Sequence, residues 1–156
     1  MKGYSLLTSV ILFTCFTFHT TLVNPTGTYK LDNTVKLKNG ETYGYKGQIQ
    51  VKKISDNRIV MTFEIHKGSP SYNSGSFVDT LKYEYNKVSY TDLLNDSTCK
   101  ITFTFDKKGV TVKEITADFN SGCGFGGAVV ADGYFKKTSS KTPILLKPLT
   151  GEQLKK

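Results

Sequence analysis

From Pro25 onward, apolar and polar residues alternate with a period of two, and clusters of Gly, Asn and Asp interrupt the alternation. This pattern puts one set of side chains on a buried face and the other in water, as in a half-buried strand. Residues 27–31 predict a short first strand. Residues 43–54 predict a second, with Ile49 and Val51 set against Gln48, Gln50 and Lys52. Ser55-Asp56-Asn57-Arg58 is turn chemistry. Beyond it Ile59, Met61, Phe63 and Ile65 share one face, with Val60, Thr62, Glu64 and His66 opposite. These two runs predict a hairpin.

The polar stretch 67–76 reads as a loop. Residues 77–85 alternate again, with Phe77, Asp79, Leu81, Tyr83 and Tyr85 on one side, and a shorter run follows over 88–94. Cys99, Ile101, Phe103 and Phe105 then face one way, and Asp106-Lys107-Lys108-Gly109 makes a hairpin turn ending in glycine. The returning strand starts on Val110 and Val112 and slips to Ile115, Ala117 and Phe119. That phase change predicts a β-bulge at Lys113-Glu114, which would keep the apolar residues inside and set about Ala117 opposite Cys99. Residues 128–136 predict a last strand. No window carries a convincing helical period. The expectation is an all-β protein, an antiparallel up-and-down barrel of seven or eight strands, because closure removes exposed edges. A two-sheet β-sandwich is the alternative.

The start of the chain follows another pattern. Lys2 precedes an uncharged run over residues 5–18, the length of a signal-peptide core and shorter than the roughly 20 residues of a membrane helix. The expected organisation is a signal peptide over 1–24, a barrel domain over 25–137 and a basic tail over 138–156. The protein is then exported, either periplasmic or secreted. Leu12-Phe13-Thr14-Cys15 has the outline of a lipoprotein box, so an outer-membrane lipoprotein is the alternative. Membrane attachment is expected only through a lipid on Cys15.

Loss of Cys15 with the leader leaves Cys99 and Cys123, and an even pair in an oxidising compartment predicts a disulfide. A zinc site needs more ligands than two cysteines and the single remaining histidine, His66, supply. No metal or cofactor is expected.

The formal charge is +8, yet Lys136, Lys137, Lys141, Lys147, Lys155 and Lys156 against Glu152 put most of the excess from Lys136 onward. A nucleic-acid binder carries its basic stripe on a structured face with arginine or aromatic partners. The only arginine here is Arg58, so no nucleic-acid partner is expected.

Gly122-Cys123-Gly124-Phe125-Gly126-Gly127 spells the glycine fingerprint of dinucleotide sites. That motif works only between a strand and a helix N-terminus. Here Ala128-Val129-Val130-Ala131 follows, with no helical pattern and no acidic residue about 20 positions on. The glycines are expected to serve a tight turn around the disulfide.

Three segments carry a resemblance. Residues 99–103 (CKITF), 123–126 (CGFG) and 131–137 (ADGYFKK) resemble the C-terminal half of small uncharacterised exported proteins of Gram-negative bacteria. Gly27-Thr28-Tyr29 is similar to the first strand of lipocalin-like barrels. The exported single-disulfide barrel also resembles the periplasmic C-type lysozyme inhibitors, small eight-stranded barrels that insert a Ser-Gly loop into the lysozyme cleft. Ser121-Gly122 are the matching positions, and the chain departs from that family with Cys123-Gly124-Phe125. The implied partner loop includes Ser121, Gly122, Gly124 and Phe125.

Catalytic residues are not apparent. His66 lies on a polar strand face with no serine motif near it, so acyl transfer lacks a base. Asp92/Asp96 and Asp79/Glu84 are formal carboxylate pairs for glycoside hydrolysis but sit where solvated acids are expected. Residues 118–122 (DFNSG) start like a calcium loop without its later ligands. The chain is therefore expected to be a non-enzymatic binding protein. Its aromatic supply suggests a calyx for a small apolar molecule lined by Tyr83, Tyr85, Tyr90, Phe103 and Phe105, unless those rings simply fill the interior. The alternative is a protein inhibitor acting through the 120–127 loop on a protein target.

Overall fold

A computed structural model of the chain describes residues 21–92, 97–117 and 122–145. Its strands are β1 (Gly27–Asp32), β2 (Val35–Lys36), β3 (Thr42–Tyr43), β4 (Tyr45–Ser55), β5 (Arg58–Lys67), β6 (Ser74–Lys82), β7 (Lys87–Tyr90), β8 (Lys100–Phe105), β9 (Gly109–Ile115) and β10 (Gly133–Ser139). Eight of them form one antiparallel sheet in the order β6-β5-β4-β1-β10-β9-β8-β7, while β2 and β3 make a separate small hairpin. Because β1 pairs with both β4 and β10, the ends of the chain meet and the sheet curls into a nearly closed up-and-down barrel. The one gap lies between β6 and β7, joined in sequence by a tight turn.

The predicted hairpin of β4 and β5 runs in uninterrupted register from Tyr45↔Lys67 to Lys53↔Ile59. Ile49, Val51, Ile59, Met61 and Ile65 on these strands are completely buried. They meet Tyr29, Ile101, Phe103, Val110, Val112 and Phe135 from the other side of the barrel. Phe63 lies 5.4–6.0 Å from Phe77, Phe103, Phe125 and Phe135, measured between ring centroids. Edge-on and offset ring geometries of this kind add to the apolar burial. Gly47 allows the Phe135 ring to approach, since a Cβ there would come within 2.9 Å of it.

Strand directions give the barrel two distinct ends. The turns Asp56-Asn57, 83–86 and 106–108 share one end with residues 21–26 and 140–145. The longer connections 33–44 and 68–73 share the other with residues 116–117 and 122–132. At the turn end, the Asp106 carboxylate accepts the amides of Lys108 and Gly109 at 2.6 and 2.8 Å, the local hydrogen bonding that makes Asp a turn former.

Four expectations are corrected. The β8–β9 ladder runs straight from Phe105↔Val110 to Lys100↔Ile115, so no bulge forms at Lys113-Glu114. The strand keeps its phase, which buries the Glu114 side chain (8% exposed) and leaves Ile115 64% exposed. The interior accepts this carboxylate because its Oε2 takes the Ala131 amide at 2.6 Å. By the same register Thr116, rather than Ala117, continues the ladder opposite Cys99. Tyr85 does not line the interior: the strand ends at Lys82, and Tyr85 and Asn86 form the turn at positive φ (50° and 64°). The last strand begins at Gly133 instead of Ala128 and reaches Ser139.

Candidate functional site at the loop end

The interior comes first, because a ligand-carrying barrel needs room there. Phe103 has no accessible area, and Tyr83 and Phe105 have almost none. Such side chains face neither solvent nor a void that water can enter. Tyr83 packs edge-on against Phe105 at 5.7 Å, and Tyr29 meets Phe105 from the other side at 5.7 Å. Tyr90 is half-buried and stacks on Phe77 across the β6–β7 gap. Tyr85 stands 81% exposed at the far end of the molecule. The five residues do not converge on a common chamber.

The loop end is organised by the Cys99–Cys123 bridge, whose Cα atoms are 4.9 Å apart. Cys99 precedes β8 and Cys123 sits in a single 3₁₀ turn, Gly122–Gly124. No helix follows, so the fingerprint-like glycines cradle nothing; Gly124 takes a left-handed φ of 66° and lets the chain reverse. Gly122 is buried and Gly124 is exposed. Phe125 turns inward, is only 6% exposed and stacks on Phe63. It rests on Gly75, where any side chain would collide with its ring. Phe125 therefore plugs the barrel. Ser121, Asp96 and the calcium-like stretch 118–121 lie outside the described residues.

Hydrogen bonds lace this loop to its neighbours. The Gly126 amide donates to the Ser74 carbonyl at 3.0 Å, and Asn73 Nδ2 donates to the Gly127 carbonyl at 2.9 Å. Both Lys67 Nζ and the Tyr45 hydroxyl donate to the Ala128 carbonyl, at 3.0 and 3.3 Å. Burial raises the Tyr45 phenol above its ordinary range. Further round, the Gly68 and Ser69 amides donate to the Gly44 and Thr42 carbonyls at 2.8 and 2.6 Å. These bonds fasten the β2–β3 hairpin to the 68–73 loop. The Asp32 carboxylate, held below its usual range by the Thr34 hydroxyl and amide, fixes the start of that hairpin.

The laced rim presents apolar side chains to solvent. Tyr43 and Tyr72 are each 58% exposed, and Val35 and Leu37 are also exposed. A groove of about 480 Å³ runs between Asn33, Val35, Tyr43, Tyr45, Lys67 and Ser69. The sequence reading missed this rim. Val35 and Leu37 sit in a hairpin of two-residue strands, too short for alternation to register, and Tyr43, expected to open the second strand, closes that hairpin while β4 starts at Tyr45. Tyr72 sits in a stretch read only as a polar loop.

Among the described residues the formal catalytic candidates His66, Asp79 and Glu84 stand exposed. His66 lies exposed on the outer wall, paired in register with Lys46 and Ser74. Glu84 is ion-paired with Lys82 at 2.9 Å, and Asp79 accepts its neighbour's amide at 2.6 Å. Among the described residues no three His, Cys, Asp or Glu side chains gather to hold a metal ion. No family model, curated protein or solved structure matches the chain.

Proposed function

We propose that the chain is a non-catalytic exported binding protein that engages a protein partner through the loop end of its barrel. The observation that carries the reading is a filled interior beneath a cross-laced rim with tyrosines standing outside it. Tyrosine supplies large amphipathic contact area at low entropic cost. A rim already fixed by a disulfide and backbone hydrogen bonds loses little freedom on binding. The resemblance to lysozyme inhibitors supports the same end of the molecule, since their loop corresponds to 120–127. Phe125 would act there as the anchor that holds the loop, with Gly124, Tyr43 and Tyr72 at the contact.

A small apolar ligand in the calyx is less well supported, because it would have to displace Phe63, Phe103 or Phe125 from close ring contacts.

Native mass spectrometry of protein isolated from its own exported fraction tests the choice between the two. The expected species is the polypeptide alone or with a protein; a retained small apolar molecule would overturn the reading. A C-type lysozyme assay with excess protein then tests the target class. Inhibition that weakens in Tyr43→Ala and Tyr72→Ala places the inhibitor activity at the rim, and unchanged lysozyme activity removes that target.

A further inference from the structure

The turn end differs in kind from the loop end. Lys53–Asp56 and Lys82–Glu84 pair with each other there at 3.0 and 2.9 Å. Arg58, Lys87, Lys107, Lys108, Lys136 and Lys141 are exposed, and the Asp106 carboxylate at this end is committed to its own turn and to the Tyr134 hydroxyl. Lys107, Lys108, Lys136 and Lys137 line one groove of about 390 Å³ with Thr138, Ser139 and Ser140. At the loop end, Lys36, Lys38, Lys46, Lys67, Lys100 and Lys113 stand among Asp32, Glu41, Asp92, Glu114 and Asp132, so among the described residues the charge there is close to balance.

Large apolar side chains project from the same basic end. Tyr85 is 81% exposed at the tip of the β6–β7 turn, and Ile144 is 90% exposed beyond β10. Leu22 and Ile54 are about half exposed beside them. Tyr85 is held outward by the backbone. Glu84 and Lys87 exchange amide-to-carbonyl bonds at 3.0 and 2.8 Å, and two consecutive positive-φ residues between them make a primed hairpin turn with Tyr85 at its apex. Scattered apolar residues on a surface need no explanation. Four on one end, ringed by exposed cations, form the composition that suits the headgroup region of an anionic bilayer.

We propose that the turn end docks on an anionic membrane surface, with Tyr85 and Ile144 entering the interface and the lysines around them meeting lipid phosphates. Two features of the chain favour a bilayer over a soluble polyanion. A polyanion rewards lysines but gives nothing for an exposed Ile144. The sequence also joins the domain at this end, through Thr21, from an uncharged apolar run over residues 5–18; if the chain is exported as proposed above, that run would bring this end towards a membrane. The loop end then points away from the bilayer, free to meet a partner.

The chain contains no tryptophan, so a Tyr85→Trp variant carries a single fluorescent reporter, and Tyr72→Trp serves as its control at the opposite end. The protein, in the form its cells export, is mixed with vesicles of phosphatidylcholine alone or of phosphatidylcholine and phosphatidylglycerol in equal parts. The expected result is sedimentation with the anionic vesicles, weakened by salt, and a blue shift of the Tyr85→Trp emission without one for Tyr72→Trp. Neutralising two lysines in Lys107→Gln/Lys108→Gln should lower partitioning about twenty-fivefold, from roughly fivefold for each cation near the surface. A lipid on the N-terminus would bind both vesicle types alike, so equal binding to both overturns the proposal, as does binding to neither. Retention on heparin without vesicle binding would make the end a soluble-polyanion site and equally overturn it. Circular dichroism of each exposed-site variant checks that the barrel is intact.

Discussion

Phe77 on β6 and Tyr90 on β7 stack face to face across the only gap in the barrel wall, with ring centroids 3.8 Å apart and planes within 3°. The two strands share no ladder, and their turn ends in one isolated bridge, Glu84↔Lys87. The stack therefore takes the place of backbone pairing at this seam. Asp79, two residues along on the inward phase of β6, is exposed beside it. An inward-pointing charge on an edge strand discourages pairing with another chain.

A double-mutant cycle tests the seam. Phe77→Leu and Tyr90→Leu should each destabilise the fold, with a coupling energy of about 0.5–1.5 kcal/mol between them in denaturant titration, as for other aromatic pairs. Additive effects would mean that the rings merely fill space independently.

The Cys99–Cys123 bridge closes a sequence separation of 24 residues. In the chain-entropy model such a loop is worth about 3 kcal/mol. Replacing both cysteines by serine should lower the melting temperature by roughly 10 °C for a domain of this size. Free-thiol titration of the folded protein isolated from its own cells should find neither Cys99 nor Cys123 reactive; two reactive thiols would remove both the bridge and the expectation of an oxidising compartment.

Residues 21–26 strap the turn end. Asn86 Oδ1 accepts the Val23 amide at 2.7 Å, Asn86 Nδ2 donates to the Thr21 carbonyl at 3.1 Å, and the Tyr83 hydroxyl donates to the Val23 carbonyl. Because Asn86 also adopts a φ of 64°, two substitutions separate its roles. Asn86→Gly keeps the backbone geometry and loses the bonds, at a cost of about 1–2 kcal/mol. Asn86→Ala adds left-handed strain of about 1 kcal/mol to that loss. A chain starting at Pro25 should melt below one starting at Thr21; equal melting would show the strap to be dispensable and permit processing anywhere in 20–24.

Alkaline pH should unfold the protein from this same end. Burial, with the neighbouring Tyr83 and Asp106 adding to it, pushes the Tyr29 phenol well above its ordinary value, and burial alone raises Tyr83 to about 12. Tyrosine is neutral when protonated, so a folded state that raises its pKa binds the proton more tightly than the unfolded chain does. Stability from these groups is complete below pH 10 and declines as pH rises from there through about 12. Ultraviolet titration of phenolate should show a delayed, cooperative step coincident with loss of circular dichroism. Ionisation of every tyrosine near pH 10 with the fold intact would contradict it.

Strands with strict alternation were legible because side-chain period and burial coincide: Ile59, Met61, Phe63 and Ile65 are all inside, as their spacing requires. The disulfide was legible from cysteine parity, once the leader-like run that carries Cys15 is set aside. The failures lie where local pattern and tertiary contacts disagree. Ile115, an apolar residue on the outer face, reads as a phase change, although the ladder beside it is regular. Tyr85 continues the alternation of β6, but two positive-φ residues end the strand first, and Asn86 alone hinted at that. The rim tyrosines were not legible: Tyr43 reads as the first residue of the second strand but belongs to the separate β2–β3 hairpin, and Tyr72 carries no periodic signal, since the placement of both depends on loops fastened to one another across the barrel.

Glu114 offers the sharpest test of that lesson. Its buried carboxylate accepts the Ala131 amide, while its own amide donates to Asp132 Oδ1 at 2.7 Å and Lys113 pairs with Asp132 Oδ2 at 2.8 Å. These contacts tie the end of β9 to the segment that leads into β10. Residues there make no ladder bonds, so side-chain acceptors stand in for a neighbouring strand. Glu114→Ala would leave the buried Ala131 amide without that acceptor and should cost about 2–3 kcal/mol, since the lost bond is to a charged group. Glu114→Gln keeps an acceptor of the same length and should cost less than half as much. Hydrogen exchange provides the specific readout: the Ala131 amide should lose protection in Glu114→Ala and keep most of it in Glu114→Gln. If instead the strand slipped into the bulged register, Ile115 would move inside, Glu114→Ala would be neutral or stabilising, and Ala131 protection would not change.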